Sequence, residues 1–209
     1  MWRVLIEMVH GLRVMHNLNV LHRDLKSANV YLSKPQIKND RTADQSVLTT
    51  QLEQGQYLYT ARLGDMNVSK ILDAQTDPNE CREQTGTPFY AAPEVWRDEP
   101  YTQKSDIYSL GCIVYEMLAL RPPFVASDMN TLRSKVAQGN FPRIPSHFSA
   151  DIWSIVQMML QGAPELRPSC EQLCESAYFK AYSQKLIKLD IADEQFSIMT
   201  TAENAFAQR

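Results

Sequence analysis

One nearly continuous apolar segment, SDIYSLGCIVYEMLAL at residues 105–120, constrains the fold of this chain more than any other feature. Only Asp106, Tyr108 and Glu116 interrupt it, so we predict a helix that is buried on nearly all sides. The RPPF sequence at 121–124 ends this helix, because proline cannot continue one. A helix of this kind needs other elements packed around it, and a chain of 209 residues can supply them as one well-cored domain.

Helical periodicity is also present on both sides of this segment. Residues 2–16 place apolar side chains from Trp2 to Met15 at helical spacing, which predicts an amphipathic helix that buries one face. Proline and glycine breaks separate three further predicted helices, at residues 129–139, 149–162 and 168–179. The chain is therefore predicted to be mainly α.

Two short segments are typical of strands. Val30–Leu32 is apolar and Tyr57–Leu63 alternates in polarity, so the two can pair as a hairpin. Between them, residues 33–56 are polar and too many for a loop of a compact domain, which predicts an insertion. The tail at 180–209 mixes apolar and charged residues, and it is either a helical extension or a linker.

Composition excludes several classes of partner. A net charge of −3 and a pI near 5.8 provide no general electrostatic attraction to nucleic acid or to an anionic membrane. No apolar run reaches membrane-spanning length, and the four cysteines are few enough to be expected in the reduced state. We expect neither a nucleic-acid partner nor a membrane, and a location in the cytoplasm, with the nucleus or the cytoskeleton as alternatives.

The segment HRDLKSANV at residues 22–30 carries an acid, a base and an amide: Asp24, Lys26 and Asn29. Phosphoryl transfer requires a carboxylate to orient a hydroxyl and accept its proton, together with divalent cations that neutralise charge. Mg²⁺ prefers oxygen ligands such as those of Asn29 and Asp65. Taken singly, these residues also fit a turn, a strand edge or a helix N-cap.

The order of several motifs favours the chemical interpretation. HRDLKSAN is followed by GD at 64–65, TGTPFYAAPE at 85–94 and SDIYSLG at 105–111. Residues 1–179 thereby resemble the C-terminal lobe of eukaryotic protein kinases of the serine/threonine type. DMNVSK, GTPFYAAPEVW and RPPF are most similar to the NIMA-related (Nek) kinases. The resemblance implies a mainly α large lobe with short β-hairpins around the catalytic loop, and a C-terminal extension or linker from 180 to 209.

The resemblance also implies catalytic roles for residues that match the family's motifs. Asp24 would be the catalytic base, Lys26 would contact the transferred phosphate of ATP, and Thr87 would help to place the substrate hydroxyl. Asn29 and Asp65 would hold Mg²⁺. The implied cofactors are therefore ATP and Mg²⁺, and the implied substrates are proteins with a serine or threonine acceptor.

Four matching positions are expected to support the fold around the site. Glu94 would pair with Arg167, and a buried pair of this kind is costly to break from one side. Asp106 would accept hydrogen bonds from the backbone of the catalytic loop, because a charge within an apolar helix needs partners. His22 is expected to be structural.

Regulation is expected to act through Arg23, which resembles the arginine that binds a phosphate on the activation segment. Thr85 is a candidate acceptor of that phosphate. Glu83 stands near the position where Nek-type chains often carry the phosphorylated threonine. We hypothesise that Glu83 supplies part of that negative charge permanently.

The sequence departs from the family at two places. Asp-Phe-Gly is replaced by Asp65-Met66-Asn67, where methionine can fill the apolar slot of phenylalanine and asparagine tolerates a left-handed backbone. No two glycines stand closer than nine residues, so the glycine-rich loop of the kinase small lobe is missing. We therefore expect the small lobe to be absent here and to belong to a longer chain.

These observations predict a Nek-like serine/threonine kinase that transfers the γ-phosphate of ATP to protein serine or threonine. We expect it to be present here as a truncated catalytic domain that is inactive alone. The alternative is a noncatalytic kinase-lobe binding module or pseudokinase.

Overall fold

The computed structural model describes residues 1–33, 59–71 and 88–187, and for 185–187 it describes the backbone alone. Most of the predicted insertion and the tail after residue 187 therefore lie outside the described residues. Within the described ranges no helix is both long and apolar enough to cross a membrane.

The described part of the chain is mainly helical, as predicted. Its α-helices are α1 (Trp2–Asn17), α2 (Pro93–Trp96), α3 (Gln103–Ala119), α4 (Met129–Gln138), α5 (Ala150–Met159), α6 (Cys170–Glu175) and α7 (Ala177–Ile187). Its strands are β1 (Val20–Leu21), β2 (Val30–Ser33), β3 (Thr60–Leu63) and β4 (Lys70–Ile71). Three short 3₁₀ turns complete it, at Ser27–Asn29, Pro88–Tyr90 and Pro164–Leu166.

Helix α3 forms the centre of the core, as its apolar sequence predicted. It begins two residues before the predicted start, because Thr102 and Ser105 form a reciprocal capping box. It ends at Leu120, which adopts a left-handed backbone with φ of 56°. At Gly111, an added Cβ would lie 2.9 Å from Cβ of Met159, so only glycine permits this close packing of α3 on α5.

Helix α1 connects the core to the strands. Its apolar face is buried, and it packs against β3, α6 and α7. Glu7 on this helix accepts a hydrogen bond from Arg3 Nε at 2.9 Å and one from the backbone N–H of Ala61 at 2.6 Å. Since Ala61 lies in β3, the Glu7 carboxylate fixes that strand to the helix.

Two antiparallel ribbons flank the HRDLKSANV segment at residues 22–30. β2 pairs with β3 in the register Val30 opposite Leu63, which confirms the predicted hairpin. β1 pairs with β4, with Val20 opposite Ile71. The second ribbon was not predicted, since two-residue strands carry too little alternation to be recognised.

The last predicted helix, 168–179, is wrong as a single element. The backbone is extended at Ser176, whose hydroxyl donates to the Leu173 carbonyl and accepts from the Phe179 N–H. Ser176 thereby ends α6 and caps the start of α7, which continues to Ile187. The Trp2 ring stacks on Tyr182 with centroids 4.0 Å apart, so the start of the tail is a helix docked on α1.

Candidate active site

The carboxylate of Asp24 lies at the centre of a small polar cluster on the loop between β1 and β2. Lys26 Nζ donates to Asp24 Oδ2 at 2.6 Å, and Asn29 Nδ2 donates to the same oxygen at 3.1 Å. Asn29 Nδ2 also donates to the Asp24 carbonyl at 2.8 Å, which closes the loop on itself. The other carboxylate oxygen, Asp24 Oδ1, is buried and has no hydrogen-bond partner among the described residues.

The charge of Lys26 is stabilised by its neighbours. The hydrogen bond that Lys26 donates to Asp24 holds the pKa of the Lys26 ammonium above its usual value. The negative charges of Asp24 and Asp65 raise this pKa further. Lys26 is therefore a permanent cation beside Asp24 at neutral pH, and Asp65 lies near enough to interact with it.

The hairpin of β2 and β3 carries Asp65 to the same edge of the lobe. The Gly64 N–H donates to the Asn29 carbonyl at 3.0 Å, which connects the end of β3 to the turn before β2. The Tyr31 ring lies over Gly64, where an added Cβ would come within 2.7 Å of it. Asp65 follows directly, exposed and with a left-handed backbone at φ of 60°.

The expectations for Met66 and Asn67 are corrected here. Met66 is 53% exposed and does not fill an apolar slot among the described residues. The left-handed residue of the Asp65-Met66-Asn67 triplet is Asp65, not Asn67. Aspartate tolerates this conformation nearly as well as asparagine, since its short polar side chain can hydrogen-bond locally.

Asp106 lies beneath the catalytic loop and is completely buried. Its two oxygens accept hydrogen bonds from the backbone N–H groups of His22 at 3.0 Å and Arg23 at 3.1 Å. The Tyr101 hydroxyl donates to Asp106 at 2.7 Å, and His16 Nε2 lies 2.9 Å from it. The carboxylate thereby holds Arg23, whose φ is 69°, in a left-handed conformation that a non-glycine residue rarely adopts.

Glu94 and Arg167, which were expected as a pair, form a bidentate salt bridge. Arg167 donates from Nη1 and Nη2 to the two Glu94 oxygens at 2.6 and 2.8 Å, and Ser105 Oγ donates at 2.7 Å. Burial works to raise the pKa of Glu94, but Arg167 and Ser105 outweigh it and hold that pKa below its usual value. The Arg167 guanidinium also lies 4.8 Å from the centre of the Tyr108 ring.

Two buried residues next to Asp106, His16 and Cys170, were not predicted from the sequence to lie at the site. His16 occupies the buried face of α1, where a polar residue signals a buried partner, and this signal was available. Its Nδ1 lies 3.6 Å from Cys170 Sγ. Because burial raises the pKa of the Cys170 thiol, this cysteine is a packed neutral group and not a nucleophile.

Of the remaining predicted site residues, some lie within the described ranges and some lie outside them. His22, fully buried, presents its backbone to Asp106, and its carbonyl accepts from Ser69 Oγ at 3.2 Å. Thr87, Thr85 and Glu83 lie outside the described residues, so their roles stay predictions. Across the described residues, no three His, Cys, Asp or Glu side chains come together as a metal site.

Comparison with known proteins agrees with this geometry. Residues 1–179 match the model of the protein kinase domain family. The chain is 28% identical to the mouse serine/threonine-protein kinase Nek1 over 95% of its length, and 30% identical to human Nek5 over 95%. It is 32% identical to mouse Nek4 over 86%. It spans only 14%, 24% and 19% of those three relatives, respectively.

Proposed function

The chain belongs to the protein kinase domain family, and from that premise we propose that it carries the phosphoryl-transfer half of a Nek-like serine/threonine kinase site. The single observation that carries this proposal is the unequal use of the two Asp24 oxygens. Oδ2 is held by Lys26 and Asn29, whereas Oδ1 is buried without a partner in the described part of the chain. A buried acceptor left unpaired is costly, and a reacting hydroxyl would satisfy it.

The proposed reaction transfers the γ-phosphoryl group of ATP to a serine or threonine hydroxyl of a protein. Asp24 Oδ1 orients that hydroxyl and accepts its proton while the hydroxyl oxygen forms the new bond to phosphorus. The bond from the γ-phosphorus to the leaving oxygen breaks, and ADP departs. Lys26, a cation beside Asp24, neutralises charge on the transferred group.

Magnesium fits the same edge of the site. The side-chain bonds of Asn29 described above use its Nδ2, so its amide oxygen remains an acceptor, and the exposed Asp65 carboxylate follows at the end of the hairpin. Two protein oxygens are a common complement for Mg²⁺, which takes its other ligands from water and phosphates. When bound, the ion would supply neutralisation of phosphate charge.

We also propose how the chain is divided and where the protein is located. Residues 1–179, with the insertion at 33–56, would form the lobe, and 180–209 an extension whose first turns dock on α1. We propose a location in the cytoplasm, with the nucleus or the cytoskeleton as alternatives, which is supported by the free thiols of Cys112 and Cys170.

A noncatalytic binding role is the second candidate. Exposed apolar side chains near the site favour it, since Tyr31, Met66 and Ile71 are each more than half exposed. The following experiment distinguishes the two functions.

The deciding test is Asp24→Asn, introduced by gene editing and assayed in the protein purified from its own cells. We expect ATP-dependent phosphorylation of a serine/threonine peptide library to fall about 10²- to 10⁴-fold, the usual contribution of a general base. Asp151→Asn, in the first turn of α5, is the control and should retain the activity. Full activity of Asp24→Asn, or none in the unmodified protein, would favour the binding role.

The 209-residue chain assayed by itself is expected to show no transfer above background. It contains no glycine cluster that could cradle the phosphates, so Mg·ATP would meet only part of a preorganised site. Robust transfer by this chain, abolished by Asp24→Asn, would contradict that expectation.

A further inference from the structure

A line of hydrogen bonds connects the catalytic loop to helix α3 through Tyr90. Ser27 Oγ lies 3.0 Å from the Tyr90 hydroxyl, and that hydroxyl donates to Glu116 Oε2 at 2.7 Å. We propose that Ser27 is a positioning residue, which holds the catalytic loop in register with Tyr90 and α3. This inference rests on the proposed function, because the loop that Ser27 holds is the one that carries Asp24 and Lys26.

The direction of each hydrogen bond follows from the chemistry of the three groups. A phenol has a single proton, and Tyr90 donates it to the Glu116 carboxylate, which can only accept. Ser27 must therefore be the donor to Tyr90. Because Glu116 draws the Tyr90 proton toward itself, the Tyr90 oxygen becomes a better acceptor for Ser27.

Tyr90 is the fixed member of this line. It is 8% exposed, and its carbonyl accepts a second bond, from Ser109 Oγ at 2.8 Å. Ser109 and Glu116 both belong to α3, the buried centre of the core. Ser27, in contrast, is exposed at the surface of its loop. The bond therefore constrains the loop and leaves Tyr90 where α3 already holds it.

The constraint reaches the reacting carboxylate through a short path. Ser27 opens the 3₁₀ turn that ends at Asn29, and the Asn29 N–H donates to the Lys26 carbonyl at 3.0 Å. Asn29 Nδ2 in turn holds both the carbonyl and the carboxylate of Asp24. A shift of this turn would move Asp24 with it, and small misplacements of a catalytic group lower the rate of the chemical step.

The test begins with Ser27→Ala in the protein purified from its own cells. We expect kcat to fall about 3- to 10-fold, the effect of one hydrogen bond, with KM for ATP unchanged. Ser27→Thr keeps the hydroxyl and should restore kcat. Ser134→Ala removes an exposed hydroxyl on α4 and serves as the matched control. Equal kcat in Ser27→Ala and the unmodified protein would overturn the inference.

A double-mutant cycle separates positioning from a general loss of stability. Tyr90→Phe removes the acceptor, so Ser27→Ala should cost nothing further in that background. The double substitution is then expected to give the same kcat as Tyr90→Phe alone, which also loses the bond to Glu116. If the two effects simply add, Ser27 does not act through Tyr90 and the inference is wrong.

The outcome is distinguishable from failure of the proposed function. If Asp24→Asn abolishes transfer but Ser27→Ala does not reduce it, only the role of Ser27 is lost. If the unmodified protein transfers no phosphate, ¹H–¹⁵N spectra of the 209-residue chain decide. Tyr90→Phe, which is remote in sequence, should then shift the amide signals of Asp24–Asn29, and it should shift them much less in the Ser27→Ala background. Equal shifts in the two backgrounds would overturn the inference without any assay of activity.

Discussion

Two regions of this lobe use carboxylates in opposite ways. Beneath the catalytic loop, Asp106 and Glu94 are buried and fully supplied with donors, including the guanidinium of Arg167. On the catalytic face, Asp24 has one supplied oxygen and one without a partner among the described residues. Saturated carboxylates stabilise a fold, whereas an unsaturated one remains available to a substrate.

The buried carboxylate of Asp106 also fixes the backbone next to Asp24. Asp106 accepts from consecutive backbone N–H groups of His22 and Arg23, and Asp24 is the next residue. The backbone that carries Asp24 is therefore held from below by hydrogen bonds to a buried carboxylate. In the proposed function, these bonds would keep the loop in its left-handed conformation at Arg23 and leave the Asp24 side chain open to a substrate.

The largest expected effect is on stability, from Arg167→Ala. Removing the guanidinium leaves the Glu94 carboxylate buried and uncompensated, and we expect a loss of about 3–5 kcal/mol in the free energy of unfolding. Urea denaturation of the 209-residue chain, followed by circular dichroism, measures it. The charge-conserving Arg167→Lys should lose less unfolding free energy. Its loss can still be measured if Arg167→Ala does not fold.

A second Arg–Glu pair in the same chain provides the control. Arg97 donates to both oxygens of Glu99 at 2.8 and 2.9 Å, in the same bidentate arrangement but at the surface. Solvent screens this pair, so Arg97→Ala should leave the unfolding midpoint nearly unchanged. Equal losses from Arg97→Ala and Arg167→Ala would mean that burial is not what makes the inner pair important.

A smaller effect is expected from one substitution applied in both regions. Asp106→Asn replaces an acceptor oxygen by an NH₂ group that faces donors, and should cost about 1–3 kcal/mol in unfolding free energy. Asp24→Asn should change stability by less than about 0.5 kcal/mol, because the asparagine oxygen can keep the bonds of Oδ2 and the replaced Oδ1 has no partner among the described residues. Urea denaturation of both variants tests the contrast directly. If Asp24→Asn is the more destabilising, the division between a supporting and a reactive carboxylate is wrong.

The sequence predicted the buried elements of this fold well, and the reason is physical. The apolar run at 105–120 has only one environment in which it is stable, and the structure places it at the centre. The hairpin of β2 and β3 was predicted from alternation alone. The division at Ser176 was not, since a single serine within a helical pattern is compatible with either a continuous helix or a cap.

The site was predictable to a different extent. The contacts among Asp24, Lys26 and Asn29 follow from a spacing of five residues on one loop, whereas their roles in the reaction stay predictions. The partners contributed by distant elements, such as Tyr90 to Ser27, depend on packing that no local pattern encodes. Met66 was misplaced for the same reason, because an apolar side chain does not by itself specify whether a neighbour covers it.

The dependence of stability on pH provides a further contrast between the buried pair and the surface pair. The pKa of Glu94 is lower in the folded chain than its ordinary value of 4.5, so the salt bridge contributes its stability above that value and loses it as pH falls further. Glu94→Gln should therefore be less stable than the unmodified chain at neutral pH, and the two should converge below pH 4.5, where Glu94 becomes neutral as well. Urea midpoints measured between neutral and acid pH give this difference.

Glu99→Gln is the control. Arg97 also lowers the pKa of Glu99, but that group is exposed. High salt should therefore abolish the pH-dependent difference in stability between Glu99→Gln and the unmodified chain, and leave the difference for Glu94→Gln intact. If high salt removes the stability difference equally for Glu94→Gln and Glu99→Gln, the inner pair is solvated. The saturated region would then differ from the surface only in geometry.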